Sequence, residues 1–382
     1  MQGVRRNTEG AKITHMDVVE GWSEVGARVA EARRAGALSQ AELARRVGME
    51  RTAVVRIEAG ERRITALELQ QLSGALDVPI GYFVSRPPAP LASRRTGLDE
   101  DADAASRAYY RLDIRLEEHT RNAQWLVEHG FLVPEPLADL RGPGPDLDVT
   151  AVAHRARAEL GQLQGPLGAL SGVAERFGLY LTSVAQDAEG ASVLLEDFGT
   201  AVVSSTADPG RRRWTAAHEL GHHLLRDAYS NDAGVAARHD EREQIIDRFA
   251  GEFLLPQADL RKAVGGADPE HEDFRQILVG IACDYRVSWS AAVARAAQTG
   301  LIDDARAARL RAKRPVRGDF LAARGYEPSP DLNTGETGPQ WRAAVLAAWS
   351  TGDVTAARAT ELLYGALTED ELPNRDSDPC LP

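Results

Sequence analysis

His218, Glu219 and His222 fall in the run Trp214-Thr-Ala-Ala-His-Glu-Leu-Gly-His-His-Leu-Leu225 and form a His-Glu-x-x-His pattern. On a helix, histidines four residues apart project from one face, so both imidazoles can reach a single metal ion. The glutamate that follows the first histidine can reach the open side of that metal, where a water would sit. These residue types at this spacing point to zinc-assisted hydrolysis, with His218 and His222 as ligands and Glu219 as general base. His223 lies about 100° around the helix from His222 and reads as structural.

A hydrolytic zinc keeps three protein ligands and one open position, so a third ligand has to come from another element. The best candidate is Glu243, in the strongly helical stretch from Asp240 to Pro256. Asp247, one turn on and on the same face, can accept a hydrogen bond from a ligand histidine and fix its tautomer. Ile246, Phe249, Ala250 and Phe253 give this second helix an apolar flank to set against the first.

Upstream, the apolar runs Leu179–Val184, Ser192–Leu195 and Thr200–Ser204 are separated by Asp, Glu and Gly turns. They read as three strands of a small, mainly antiparallel sheet that buries the back of the metal helix, Ala217, Leu220, Leu224 and Leu225. Val149–Leu160 and Pro166–Phe177 read as two amphipathic helices leading into it. The fold class expected is mainly α, with an α+β catalytic unit.

Composition bounds the rest. A chain of 382 residues is too long for one core, and 43 % hydrophobic with 27 % charged residues is ordinary for a globular protein. A formal net charge of −12 argues against coating nucleic acid along the whole surface, though not against a local basic face. Two distant cysteines, Cys283 and Cys380, fit a reducing compartment with neither a disulfide framework nor a thiolate metal site. Without a signal-peptide core at the N-terminus or an apolar run near the ~20 residues of a membrane span, a cytoplasmic protein with no membrane partner is expected.

The first part of the chain has a different character. Val25, Val29 and Ala32 make one helical stripe. Ser39 with Glu42 forms a capping box ahead of Leu43, Ala44 and Val47. After Gly48, Val54 and Ile57 mark a third helix, and Thr65 caps a fourth whose Leu67, Leu69, Leu72 and Leu76 are expected to point to a core. Short helices with a tight Gly-containing turn between the second and third describe a helix-turn-helix unit. Ser39-Gln-x-x-Leu-Ala, Ile57-Glu-x-Gly and the closing Leu76-x-Val resemble the XRE family of Cro/CI-type repressors in both type and spacing over residues 23–84. The resemblance implies an all-α DNA-binding domain with Glu50–Ala59 as recognition helix. Gln40, Arg51, Thr52 and Arg56 would then meet phosphates or base edges of double-stranded DNA. Glu50 stands where a capping Ser is usual and Val55 where a polar residue often faces the groove. Residues 23–80 hold nine Lys and Arg against eight Asp and Glu, so the electrostatic drive onto DNA is modest.

The two metal-site segments carry a second resemblance. Arg213-Trp-Thr-Ala-Ala-His-Glu-Leu-Gly-His, with Glu243-x-x-x-Asp-x-Phe-Ala-x-x-Phe-Leu-Leu-Pro256, is similar to the ImmA/IrrE family of zinc metallo-endopeptidases over residues 150–300. The family usually has Ala-Asn at Ile246-Asp247 and Leu at Phe253; Asp keeps the acceptor. The resemblance implies a DNA-binding regulator whose peptidase cleaves a protein, a transcriptional repressor or similar regulator. The competing reading is a non-enzymatic or antitoxin-like regulator whose peptidase-like domain senses a ligand, metal or partner. Helix-turn-helix proteins that bind two half-sites suggest a homodimer.

The expected domains are a disordered lead-in at 1–22, the helix-turn-helix domain at 23–84, a linker with a helix at 85–148, the peptidase at 149–300, and a C-terminal helical region with a disordered end at 301–382. Within the linker, Tyr109, Leu112, Leu116, Ala123 and Leu126 repeat at helical spacing, as in a packing helix. Residues 313–339 read as extended, and Trp341–Trp349 with Thr355–Leu367 as a last helical pair.

Overall fold

A computed structural model describes residues 19–92, 98–135, 140, 148–226 and 236–375. Most of the expected lead-in, the Gly142-Pro-Gly-Pro segment and the final residues with Cys380 lie outside the described residues. The chain forms two compact units, which meet in sequence between Asp103 and Ala104. Among the described residues no single helix is long and apolar enough to cross a membrane.

The first unit is all helical: α1 (Trp22–Ala35), α2 (Gln40–Arg46), α3 (Arg51–Glu58), α4 (Ala66–Leu76), α5 (Ile80–Val84) and the short α6 (Ala89–Ala92). The capping boxes at Ser39/Glu42 and Thr65/Glu68 start α2 and α4. Val29, Leu43, Val54, Ile57, Leu72, Tyr82 and Phe83 are buried at its centre. Leu67 is a correction, for it is 72 % exposed. At 100° per residue Leu69, Leu72 and Leu76 share a stripe, and Leu67 lies on the far side of the helix. Arg33, almost wholly buried, binds both oxygens of Glu58 at 2.6 and 3.2 Å and so ties α1 to the end of α3.

The second unit begins with α7 (Ala104–Glu128), α8 (Val149–Glu159) and α9 (Leu170–Glu175), then β1 (Leu179–Val184), β2 (Gly190–Leu194) and β3 (Gly199–Ser204). It continues with α10 (Pro209–Leu225), α11 (Ala236–Leu254), α12 (Gln257–Val264), α13 (Glu272–Tyr285), α14 (Trp289–Gln298), α15 (Asp304–Ala312), α16 (Arg317–Arg324), α17 (Pro339–Thr351) and α18 (Ala356–Leu362). The mainly α architecture with a small sheet is as expected.

Within the sheet the order is β1-β3-β2. β2 pairs with β3 antiparallel through the tight 195–198 turn, while β1 pairs with β3 parallel, so the sheet is mixed and not mainly antiparallel. The central place goes to β3, which is buried along its full length. Its two faces are both covered. Leu179, Leu181, Ala201 and Val203 join Ala216, Ala217 and Leu220 of α10 in one core, whereas Tyr180 and Phe198 join Ala123 and Leu126 of α7 and Trp341, Val345 and Leu362 of α17 and α18 in another. Strand alternation separates the two sets.

Two helix boundaries differ from expectation. No helix starts at Pro166, because the carbonyls of Gly165, Leu167 and Gly168 are taken by Arg157, Arg213 and Arg286 instead of by a helical ladder. Within 313–339, expected as extended, α16 forms; Asp319 accepts from Val316 N at 2.8 Å and pairs with Arg275. The segment after it docks along β1: Gly335 N donates to Ser183 O at 2.8 Å, and the buried Asp331 binds Arg213 of α10 and Leu170 N.

His119 of α7 is wholly buried between the layers, its Nε2–H donating to Tyr180 O (3.0 Å) and its Nδ1 accepting from the Tyr364 hydroxyl (2.6 Å). Burial lowers its pKa to about 4, against the pull of the Tyr180 carbonyl. The unfolded chain takes up this proton near pH 6.5 and the folded one does not. The contribution to stability is therefore complete above pH 6.5 and is lost as pH falls from there to about 4, about 3 kcal/mol in all. Imidazole NMR should find His119 neutral at pH 5; titration near 6.5 would contradict the buried geometry.

Candidate metal centre

His218 and His222 stand on α10, one turn apart, and Glu243 and Asp247 on α11, also one turn apart. The two helices cross closely because residue 221 is glycine: a Cβ there would come within 2.9 Å of the Phe249 ring and 3.0 Å of Ile246. Phe249 and Phe253 stack at 5.4 Å and are fully buried, so the apolar flank of α11 sets the spacing of its acidic face from the histidines.

That spacing brings His218, His222 and Glu243 together, with one ligand atom of each within 4.8 Å of the others. The two Nε2 atoms are 3.1 Å apart, and Glu243 lies 3.0 Å from His218 Nε2 and 3.8 Å from His222 Nε2. Ligand atoms about 2.1 Å from a tetrahedral zinc sit about 3.4 Å from one another, so this donor set fits such an ion. His218 Nδ1 donates to Asp247 Oδ1 at 3.0 Å, which turns its Nε2 toward the other two groups. Trp214 Nε1 donates to the same Asp247 oxygen at 3.2 Å and holds it in place.

The electrostatics favour a cation. Burial disfavours charge on His218, yet hydrogen bonds to Asp247 and Glu243, with Glu219 nearby, outweigh it and push its pKa up to about 10. Asp247 is held below the ordinary carboxylate range by His218, against the burial that would raise it. A divalent ion would meet the same negative charge that retains this proton.

Glu219 is buried and faces β2. The Ser192 hydroxyl donates to its Oε2 at 2.6 Å, and a Cβ on Gly190 would come within 2.9 Å of Oε1 and 2.5 Å of Thr215. Sequence reasoning missed Ser192, Gly190 and Trp214. Only the strand alternation that places 190 and 192 on one face hinted at the first two. His223, read as structural, is buried with Nε2 against Phe177 O at 2.7 Å, and burial lowers its pKa to about 4.

In the first unit, Arg51, Thr52 and Arg56 are exposed on α3 while Val54 and Ile57 of the same helix are buried, so the three share its outer surface. Gln40 differs: it is half-buried and its amide donates to Glu58 Oε2 at 2.8 Å. Glu50 makes no side-chain cap on α3, as its departure from Ser implies.

Replacing Asp247 with Ala is expected to weaken zinc binding by about 10- to 100-fold, because His218 loses the acceptor that orients it. Competition against a chelator of known affinity measures this, and unchanged affinity would exclude the orienting role.

Residues 174–297 match the family described as IrrE N-terminal-like domain, peptidase M78, and residues 29–83 match a helix-turn-helix family. Over 73 residues, 19 % of this chain, it is 41 % identical to a protein of Rhodospirillum rubrum described as an uncharacterized transcriptional regulator in the ATPase CF(0) region. The chain spans 63 % of that relative's length. No solved structure matches it. The chain thus carries an XRE-type helix-turn-helix domain, of the kind found in transcriptional regulators, and a metallopeptidase-type domain of the peptidase M78 family.

Proposed function

We propose that this protein is a DNA-binding transcriptional regulator with a zinc-dependent endopeptidase, and that its substrate is a repressor or similar regulatory protein. The observation that carries the reading is the convergence of His218, His222 and Glu243, with Asp247 behind and Glu219 beside them. The division into domains at 23–84 and 149–300, with a C-terminal region at 301–382, belongs to the same proposal, as do a cytoplasmic location and a homodimer reading two half-sites of DNA.

In this reading His218 Nε2, His222 Nε2 and a Glu243 carboxylate oxygen hold zinc, which supplies Lewis acidity to polarise a peptide carbonyl and acidify a water. Glu219 takes the proton of the attacking water on its carboxylate and passes it to the leaving amine. Ser192, by donating to Oε2, fixes the rotamer in which Glu219 does this, and Gly190 leaves room for it. Asp247 holds His218 in the tautomer that presents Nε2. Among the described residues β2 is an edge strand, and an extended peptide laid along its outer side would pass Glu219. Arg51, Thr52 and Arg56 contact DNA from α3, while Gln40 acts through Glu58 or after releasing it.

Glu219→Gln is expected to keep zinc at wild-type stoichiometry and to lower cleavage by roughly 10²- to 10⁴-fold. Protein N-termini in cells carrying wild-type or Glu219→Gln protein can be compared by mass spectrometry. A new terminus within a helix-turn-helix regulator, present only with wild type, is the expected result; identical termini in both would sink the peptidase reading.

A further inference from the structure

The stripe of α7 that covers the sheet is Leu116, Thr120 and Ala123, all buried. Thr120 Oγ1 meets Thr200 Oγ1 of β3 at 2.7 Å, and His119 meets Tyr180 O, near the starts of β3 and β1. At the other end Arg111 Nε donates to Gln186 Oε1 at 3.2 Å, just past the end of β1. So α7 runs against β1 and β3, and it packs over β2 as well. Tyr109 lies seven residues before Leu116 and eleven before Thr120, within about 20° of both on the helix, so it continues the same stripe. Yet it is 50 % exposed.

The lengths explain why. Tyr109 is about 16 Å along the helix from Thr120, whereas β3 extends only about 13 Å beyond Thr200. The stripe overhangs the end of the sheet. There β2 begins at Gly190, opposite Val203, and Gly190 is the residue pressed against Glu219. Glu189 just before it pairs with Arg211 of α10. The aromatic ring therefore extends past the end of the sheet, level with the start of the edge strand where Gly190 meets the proposed base. Burial, and the carboxylates of Glu189, Glu219 and Glu243, hold its phenol above the ordinary tyrosine range, in keeping with that position.

We propose that Tyr109 forms a wall of the peptide cleft and packs against an apolar side chain of the bound peptide next to the scissile bond. The inference rests on the peptidase reading and extends it: the helix that opens the second unit, outside the matched peptidase segment, helps to select the substrate. The ring does the packing, and the hydroxyl is dispensable for binding.

The test uses the zinc-loaded full chain and two metal-directed probes, acetohydroxamate and the hydroxamate of acetyl-Leu-Leu, with affinities measured by calorimetry. Wild type should prefer the dipeptide probe. Tyr109→Ala should lose roughly tenfold in affinity for it while binding acetohydroxamate as wild type does, and Tyr109→Phe should keep the preference. A Tyr109→Ala protein that retains both the preference and its acetohydroxamate affinity would overturn the wall. Should wild type itself bind acetohydroxamate but show no preference for the dipeptide, the peptide cleft fails and the wall with it, which is a different result from a preference that survives in Tyr109→Ala.

Discussion

The crossing of α10 over α11 is the constraint on which the site depends. Two imidazoles on one helix can converge without help, but a carboxylate from another helix reaches them only if the backbones approach closely. Gly221 permits that approach, and Phe249 and Ile246 fill the space it leaves. Full burial of rings such as Phe249 and Phe253 contributes about 1.5–3 kcal/mol each, so the geometry of the acidic face is held by apolar packing on the opposite flank. The negative charge gathered around His218 is stable because those forces act elsewhere.

The sheet serves the same helix from its other side. Ser192 and Gly190 of β2 fix Glu219, while Asp331, arriving from well beyond α11, binds Arg213 five residues ahead of His218. Burial of an ion pair is weak evidence for net stability, but removing one partner would leave a charge in the core. The segment at 331–335 also bonds to β1, and Glu175 accepts from Gln340 N and Trp341 N at the start of α17, 2.8 Å each. The C-terminal helices are therefore packed into the same unit as the metal helix.

In the first unit, Glu58 plays a comparable part. It ends α3, pairs with Arg33 of α1 and receives the Gln40 amide from α2, so one carboxylate ties α1 and α2 to α3, the helix that carries Arg51, Thr52 and Arg56. Opposite charges are nearly balanced over residues 23–80 of this unit.

The sequence by itself determined what depends on short-range geometry. The 3.6-residue period placed His218 beside His222 and Glu243 beside Asp247, the capping boxes at Ser39 and Thr65 marked their helices, and three apolar runs marked three strands, because each signal lies within a few residues. Tertiary structure decided the rest. Strand order, the exposure of Leu67, the extended stretch after Gly165 taken over by arginines, the helix at 317–324, and the meeting of Glu219 with Ser192 and Gly190 all turn on partners far away in the chain. Which backbone carbonyl an arginine takes, or which strand a glycine lies against, is settled by burial and hydrogen bonding after the chain has folded, and no local spacing encodes it.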